Sequence, residues 1–156
     1  MNEKYLSYRG DIRAIDTIGN AIVFVTLHRE KIATSLYQLD PNKGDLSELS
    51  LPTGGHALFV DSEDCYIAGD DAKIYHVAAK AKVAKPLAAE LPRHATSLAA
   101  LSGNRLAAMC GDNIVVVDRS NGKQRQLIEL SEDASAMASD LTGEWLAVGS
   151  TKGNVS

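Results

Sequence analysis

Asn104-Arg105-Leu106-Ala107-Ala108-Met109-Cys110-Gly111-Asp112-Asn113-Ile114-Val115-Val116-Val117 is the stretch that decides the fold. Two apolar runs, Leu106 to Cys110 and Ile114 to Val117, flank the turn signal Gly111-Asp112-Asn113. A step back of 40 residues, from Leu98 to Leu58, lays Asp64-Cys65-Tyr66-Ile67-Ala68-Gly69-Asp70-Asp71-Ala72-Lys73-Ile74-Tyr75-His76-Val77 beneath it without a gap. Leu106 falls on Tyr66, Ala108 on Ala68, Ile114 on Ile74, Val117 on Val77, and Pro92 on Pro52. A step forward of 40 carries Gly103 to Gly143, Leu106 to Leu146 and Ala107 to Ala147. One extra residue in the next turn then brings Ile114 to Val155. Toward the N-terminus, Ser35-Leu36-Tyr37-Gln38-Leu39-Asp40 matches Asn113 to Asp118, and Asp40-Pro41-Asn42-Lys43-Gly44 matches Asp118-Arg119-Ser120-Asn121-Gly122.

Each unit reads as four short strands. In the clearest copy these are Thr96 to Leu101, Arg105 to Cys110, Ile114 to Asp118 and Gln124 to Leu130. The continuous β-branched run of the third strand predicts burial on both faces. Short strands at this spacing mean a sandwich, barrel or propeller. A period near 40 with four strands per unit selects the propeller. The sequence therefore predicts an all-β fold: a β-propeller of four-stranded antiparallel blades, with almost no helix.

The 156 residues fit one domain, and 45% hydrophobic with 23% charged content can build a core. A net charge of −4 argues against a nucleic-acid backbone as partner, and 5% aromatic content leaves few stacking platforms for bases. Cys65 and Cys110 form neither a disulfide framework nor a CxxC zinc pair and read as buried free thiols. Met1-Asn2-Glu3-Lys4 leads into no apolar run, so no secretory leader is expected. The longest apolar stretch, Ala21 to Val25, is far below the roughly 20 residues of a membrane helix. A cytoplasmic chain without nucleic-acid or membrane partners is the expectation.

Leu141-Thr142-Gly143-Glu144-Trp145-Leu146-Ala147-Val148-Gly149-Ser150-Thr151-Lys152-Gly153-Asn154-Val155 resembles the second strand and following turn of a WD40 repeat, written roughly D-G-x-x-L-A-S-G-S-x-D-G-x-V. The Trp-Asp of that family appears as Leu39-Asp40, Val77-Ala78 and Val117-Asp118, and its Gly-His once, as Gly55-His56. Ile114 to Gly122 also resembles the V-x-V-I-D-x-x-T-G-K pattern of quinoprotein and YVTN-type propellers. The resemblance implies a degenerate WD40-like propeller with an incomplete ring in this chain. It has an outer strand at 4–8, blades at 12–52, 56–92 and 95–131, and an incomplete blade at 135–156. In the family an outer strand like 4–8 completes the last blade. The open ring has three readings: part of a longer parent, two chains joined through their open blade edges, or a compact four-bladed ring.

Motifs for chemistry are sparse. GxSxG, P-loop and GxGxxG patterns are absent. Asp61-Ser62-Glu63-Asp64 lacks the Gly and distal Glu of a calcium loop and reads as a solvated turn. His28, His56, His76 and His94 stand at no metal-ligand spacing. The WD40 resemblance implies that a histidine opening a blade bonds an aspartate after the second strand: His56 with Asp70 or Asp71, and His94 with Asp112. Lys80, Lys82 and Lys85 read as edge-protecting lysines on an outermost strand. Trp145 and Tyr66 read as packing between blades.

Propellers bind through rim loops, and in WD40 proteins the loops before the first strand and after the second share the face most used. Here those loops contain His28, Arg29, Asp70, Asp71, Lys73, Arg93, His94 and Asp112. The expected function is a non-catalytic scaffold for a protein or peptide partner, with no cofactor and no metal. The alternatives are a propeller enzyme or redox domain of quinoprotein or lactonase type, and a structural or oligomerisation unit of a longer protein.

Overall fold

The computed structural model describes residues 11–28, 33–62, 64–78, 81 and 83–155. All regular elements there are strands, fourteen in number, with no helix among the described residues. The first sheet contains β1 (Asp11–Ile18), β2 (Ala21–His28), β3 (Ala33–Asp40) and β4 (Asp45–Leu51). The second contains β5 (Gly55–Asp61), β6 (Asp64–Gly69), β7 (Ile74–Val77) and the short β8 (Lys85–Pro86). The third contains β9 (Ser97–Leu101), β10 (Arg105–Cys110), β11 (Asn113–Asp118) and β12 (Gln124–Glu129), and the fourth only β13 (Ala134–Ser139) and β14 (Leu146–Ser150). Within every sheet the strands lie in chain order, and every pairing is antiparallel. This is the blade arrangement of a β-propeller. The innermost strands β1, β5, β9 and β13 pack side by side in that order, and β13 does not return to pack along β1, so the ring is not closed. The lone strand expected at 4–8 falls outside the described residues.

Blades adhere because their middle strands bury both faces. On β6, Cys65 and Ile67 face the first blade, joining Val23, Val25, Leu36 and Tyr75. Tyr66 and Ala68 on the same strand face the third blade, joining Leu98, Leu106, Ala108, Val115 and Val117. Ala107 and Met109 on β10 face the fourth, against Val148. Period-two alternation thus serves two interfaces at once. It explains why β11, with Ile114 to Val117 all buried, carries no polar alternation.

The turns are held by short polar side chains. Asp118 ends β11 and its carboxylate accepts from Ser120 Oγ, the Ser120 backbone N–H at 2.8 Å and Arg125 Nη2 at 2.6 Å. Asp40 caps the corresponding turn of the first blade, accepting from the backbone N–H of Asn42 at 2.9 Å and Lys43 at 3.2 Å. These two aspartates, which end the third strands of their blades, therefore act as turn caps. Asp61 and Asp64, in the acidic run, are tied rather than free. Asp61 pairs with Arg119 of the third blade, and Asp64 lies 3.1 Å from His76 Nε2. Lys85 stands on the outermost strand β8, whereas Glu63, Lys80 and Lys82 lie outside the described residues.

Trp145 departs from the expected packing. It is 76% exposed, while Tyr66 is 4% exposed between the second and third blades. Trp145 precedes β14 rather than lying within it, and among the described residues β14 pairs with β13, apart from a bridge between Gly149 and Val155.

Gly143 turns between β13 and β14 with φ +68°, and its carbonyl accepts from Ser102 N–H at 2.8 Å. A Cβ there would lie 2.5 Å from Ser102 N. Gly143→Ala is expected to lower unfolding free energy by about 1–3 kcal/mol, read by urea denaturation. A loss below about 0.5 kcal/mol would show that this turn yields without strain. The hydrogen bonds from Ser120 and Arg125 hold the Asp118 carboxyl well below the usual carboxylate range. That stabilisation is complete above the unfolded value of about 3.9 and is lost as pH falls through it toward the lower folded value. Asp118→Asn should therefore flatten the decline in stability below about pH 4, and an acid limb as steep as the parent's would contradict this role.

Candidate functional site

The rim is built where innermost strands begin. In β1, β5 and β13 the pairing slips by one residue at the start, between Ile12 and Ala14, Gly55 and Ala57, and Ala134 and Ala136. The extra residues are Arg13, His56 and Ser135. Such a bulge re-aims a side chain out of the sheet alternation, and in β5 it sends His56 to the rim. There its Nε2 pairs with the Asp70 carboxylate, and its ring stacks on His94 with centroids 4.6 Å apart and planes at 24°. Asp70 is fixed in turn by its backbone N–H donating to the Gly54 carbonyl at 2.8 Å. A Cβ at Gly54 would meet the Asp70 carboxylate, which would have to shift.

The next residue, Asp71, accepts from the Tyr75 hydroxyl at 2.7 Å and lies 3.7 Å from Lys73 Nζ. Burial, and then the Asp71 acceptor beside it, push the Tyr75 phenol up to about 12. Tyr75 therefore stays a donor at any working pH.

Arg93 opens the third blade and is the most connected rim side chain. Its Nε donates to the Cys110 carbonyl at 3.0 Å, and its Nη2 reaches Asp112 at 3.4 Å and Asp133 at 2.9 Å. Gly111, at φ +68°, leaves open the space the guanidinium crosses. Asp133 opens the fourth blade, and backbone bonds from Ala134 N–H to Gly111 O at 2.9 Å and from Thr151 N–H to Asp133 O at 3.0 Å continue the tie. One fork thus spans two blades.

Six of the eight sequence-nominated residues, Asp70, Asp71, Lys73, Arg93, His94 and Asp112, stand at this rim. The His56–Asp70 pair forms as the WD40 resemblance implies. The His94–Asp112 pair does not, because Arg93 occupies Asp112 and His94 stacks on His56 instead. His28 ends β2, its backbone paired with Ala33, and Arg29 lies outside the described residues. Sequence reasoning missed Asp133 and Tyr75. The signal for Asp133 was present: it lies one repeat step, 40 residues, beyond Arg93.

The two thiols, Cys65 and Cys110, are free, and burial pushes each up to about 11, so both stay protonated and poorly nucleophilic near neutrality. Among the described residues no three His, Cys, Asp or Glu side chains form a cluster that could hold a metal. What the rim groups do chemically is hold each other.

No family model matches the sequence, and no curated protein matches it. Solved structures do match its fold. The computationally designed Ika4 protein superposes with a TM-score of 0.80 at 16% identity, over 100% of this chain and 97% of that one. The computationally designed Ika8 protein gives 0.74 at 17% identity, over 92% of this chain and 44% of that one. Hydrazine synthase from Kuenenia stuttgartiensis gives 0.76 at 14% identity, over 96% of this chain and 45% of that one. The chain spans nearly the whole of Ika4 and under half the length of the other two. At such identities the likeness is one of fold alone: repeated four-stranded blades.

If the Arg93 fork ties the third and fourth blades, Arg93→Ala should speed hydrogen exchange at the Ala134 and Thr151 amides and leave Ala68 in the second blade unchanged. The expected cost is about 0.5–1.5 kcal/mol, small because the guanidinium is half-exposed. Unaltered exchange at Ala134 and Thr151 would show that backbone contacts alone hold the fourth blade.

Proposed function

We propose that the chain is a non-catalytic, propeller-based scaffold for protein contacts. The observation that carries this reading is the turn from Asp140 to Trp145. Leu141 is fully exposed there and Trp145 is 76% exposed. The turn is nevertheless stiff. The Asp140 carboxylate accepts from Thr142 Oγ1, from Thr142 N–H at 3.2 Å and from Trp145 N–H at 3.0 Å. A large aromatic and a leucine held outward on a preorganised turn lose little entropy on docking, and tryptophan is enriched among the residues that dominate protein interfaces. The mixed-charge rim, rigid through its own ion pairs, supports a second polar contact surface at the opposite ends of the strands.

Self-association through the edge of β14, which among the described residues pairs beyond β13 only in the Gly149–Val155 bridge, fits the same turn, since an edge strand offers backbone donors and acceptors beside it. Two free, buried thiols suit a reducing compartment and support a cytoplasmic location. Among the described residues no helix is long and apolar enough to cross a membrane.

One purified sample tests both parts. Elemental analysis and an absorption spectrum are expected to give neither a stoichiometric metal nor a chromophore. Finding either would overturn the scaffold reading in favour of a propeller enzyme or redox domain. Light scattering after size exclusion is expected to give a mass of twice 16.6 kDa that reverts to monomer in Leu141→Ser/Trp145→Ser. A dimer indifferent to that double substitution would remove the turn from the contact.

A further inference from the structure

At the ends of the blades opposite the histidine rim, the wedge between the first and second blades is open. It forms a half-enclosed cleft of about 670 Å³. Ile18, Val23, Leu36 and Leu49 of the first blade, with Cys65 and Val77 of the second, make an apolar wall. Gln38, Ser47 and Ser62 stand among them as uncharged polar groups; Glu48, whose carboxylate accepts from Ser35 Oγ at 2.7 Å, also lines the cleft, and no cationic side chain is among the described lining residues.

The register shows why the space exists here and not one blade further on. In the first blade, the third row of side chains in from the β1–β2 turn runs Asp16, Val23, Gln38, Ser47. In the second blade the same row runs Phe59, Tyr66, His76, Lys85. Tyr66 stacks on His76 with centroids 4.9 Å apart and packs against Phe59 at 6.2 Å, and the Arg119 guanidinium of the third blade covers the Tyr66 ring at 5.8 Å. Three rings and a guanidinium therefore fill the wedge between the second and third blades. The equivalent row of the first blade supplies an aspartate, a valine, an amide and a serine, and the facing wall offers Cys65, Ala78 and Ala81. Small residues on both walls leave the volume that three rings occupy next door.

From this vacancy we infer a binding site for a small molecule with an apolar body, one hydrogen-bonding end and no negative charge. The volume is that of ligand pockets, which are mostly apolar with a few placed polar groups. The apolar wall takes the body, and the Gln38 amide and Ser47 hydroxyl, both on the exposed side of the cleft, meet the polar end. An anionic ligand would face the Glu48 carboxylate, find no cationic partner among these residues and lose hydration without compensation. The site is independent of the scaffold reading, which concerns the fourth blade.

The test is a fluorescence titration of the full chain with Nile red, a neutral, largely apolar dye bearing one carbonyl. Saturable binding of one dye per chain is expected. Ser47→Trp, at an exposed position, should fill the cleft and weaken binding by about tenfold or more, and Gln38→Trp, also exposed, gives an independent block. Circular dichroism confirms that both variants keep the strands. Leu141→Ser/Trp145→Ser, which removes the exposed apolar turn of the fourth blade, should leave binding unchanged. No saturable binding by the parent chain overturns the inference. So does dye binding that survives both cleft substitutions and disappears with the Leu141/Trp145 pair.

Discussion

The structure depends on strands that are buried on both faces at once. A single blade here has only enough apolar side chain to make an interface, not a core. β6 and β10 resolve this by sending alternate residues to opposite neighbours, so each core is shared between two sheets. Along β10 the small side chains of Ala107 and Ala108 and the larger ones of Leu106 and Met109 are all buried, so each face of the strand is filled by both sizes. The repeat in the sequence records this constraint: whatever one blade presents, the next has to receive.

Many polar groups then stand at the two ends of the strands, where they hold one another in place. At one end Asp40, Asp118 and Asp140 close turns by accepting backbone N–H groups within a few residues. At the other, longer-range pairs, His56 with Asp70 and Arg93 with Asp112 and Asp133, tie a blade's opening segment to its own turn and to the next blade. A wedge-shaped unit packed only by apolar contact could slide along its neighbour. Directional bonds at the rim fix the stagger.

The architecture was legible because it is periodic. In the third blade the strands expected at 96–101, 105–110, 114–118 and 124–130 occur at Ser97–Leu101, Arg105–Cys110, Asn113–Asp118 and Gln124–Glu129. The placement of polar partners was only half legible. His56 meets Asp70 because a bulge points it there, and a bulge has no signature in residue type. His94 was assigned to Asp112 by likeness, yet the residue before it, Arg93, has the longer reach and the planar fork, and it takes the carboxylate. Trp145 was misjudged for a related reason. Forty residues before it stands Arg105, the first residue of β10, whereas Tyr66 is third in β6 and inside the sheet. In the repeat register Trp145 falls on Cys65, one position from Tyr66, and one position turns a side chain to the other face of a strand.

Where a periodic fold departs from its period, the departure needs its own cause. Blade-to-blade adhesion requires every wedge to be filled to native density, and a void too small for solvent forfeits dispersion contacts on its lining. The wedge of the second and third blades obeys this with Phe59, Tyr66 and His76. The wedge of the first and second does not, and it remains tolerable because it opens to water and because Val23, Val25, Leu36 and Ile67 already supply the contact deeper in. An open cleft avoids the penalty of a sealed cavity while keeping an apolar wall available. Arg119 shows the complementary case. Its guanidinium is largely covered, spread over Tyr66 and paired with Asp61, a polar group brought inward where an aromatic row could receive it.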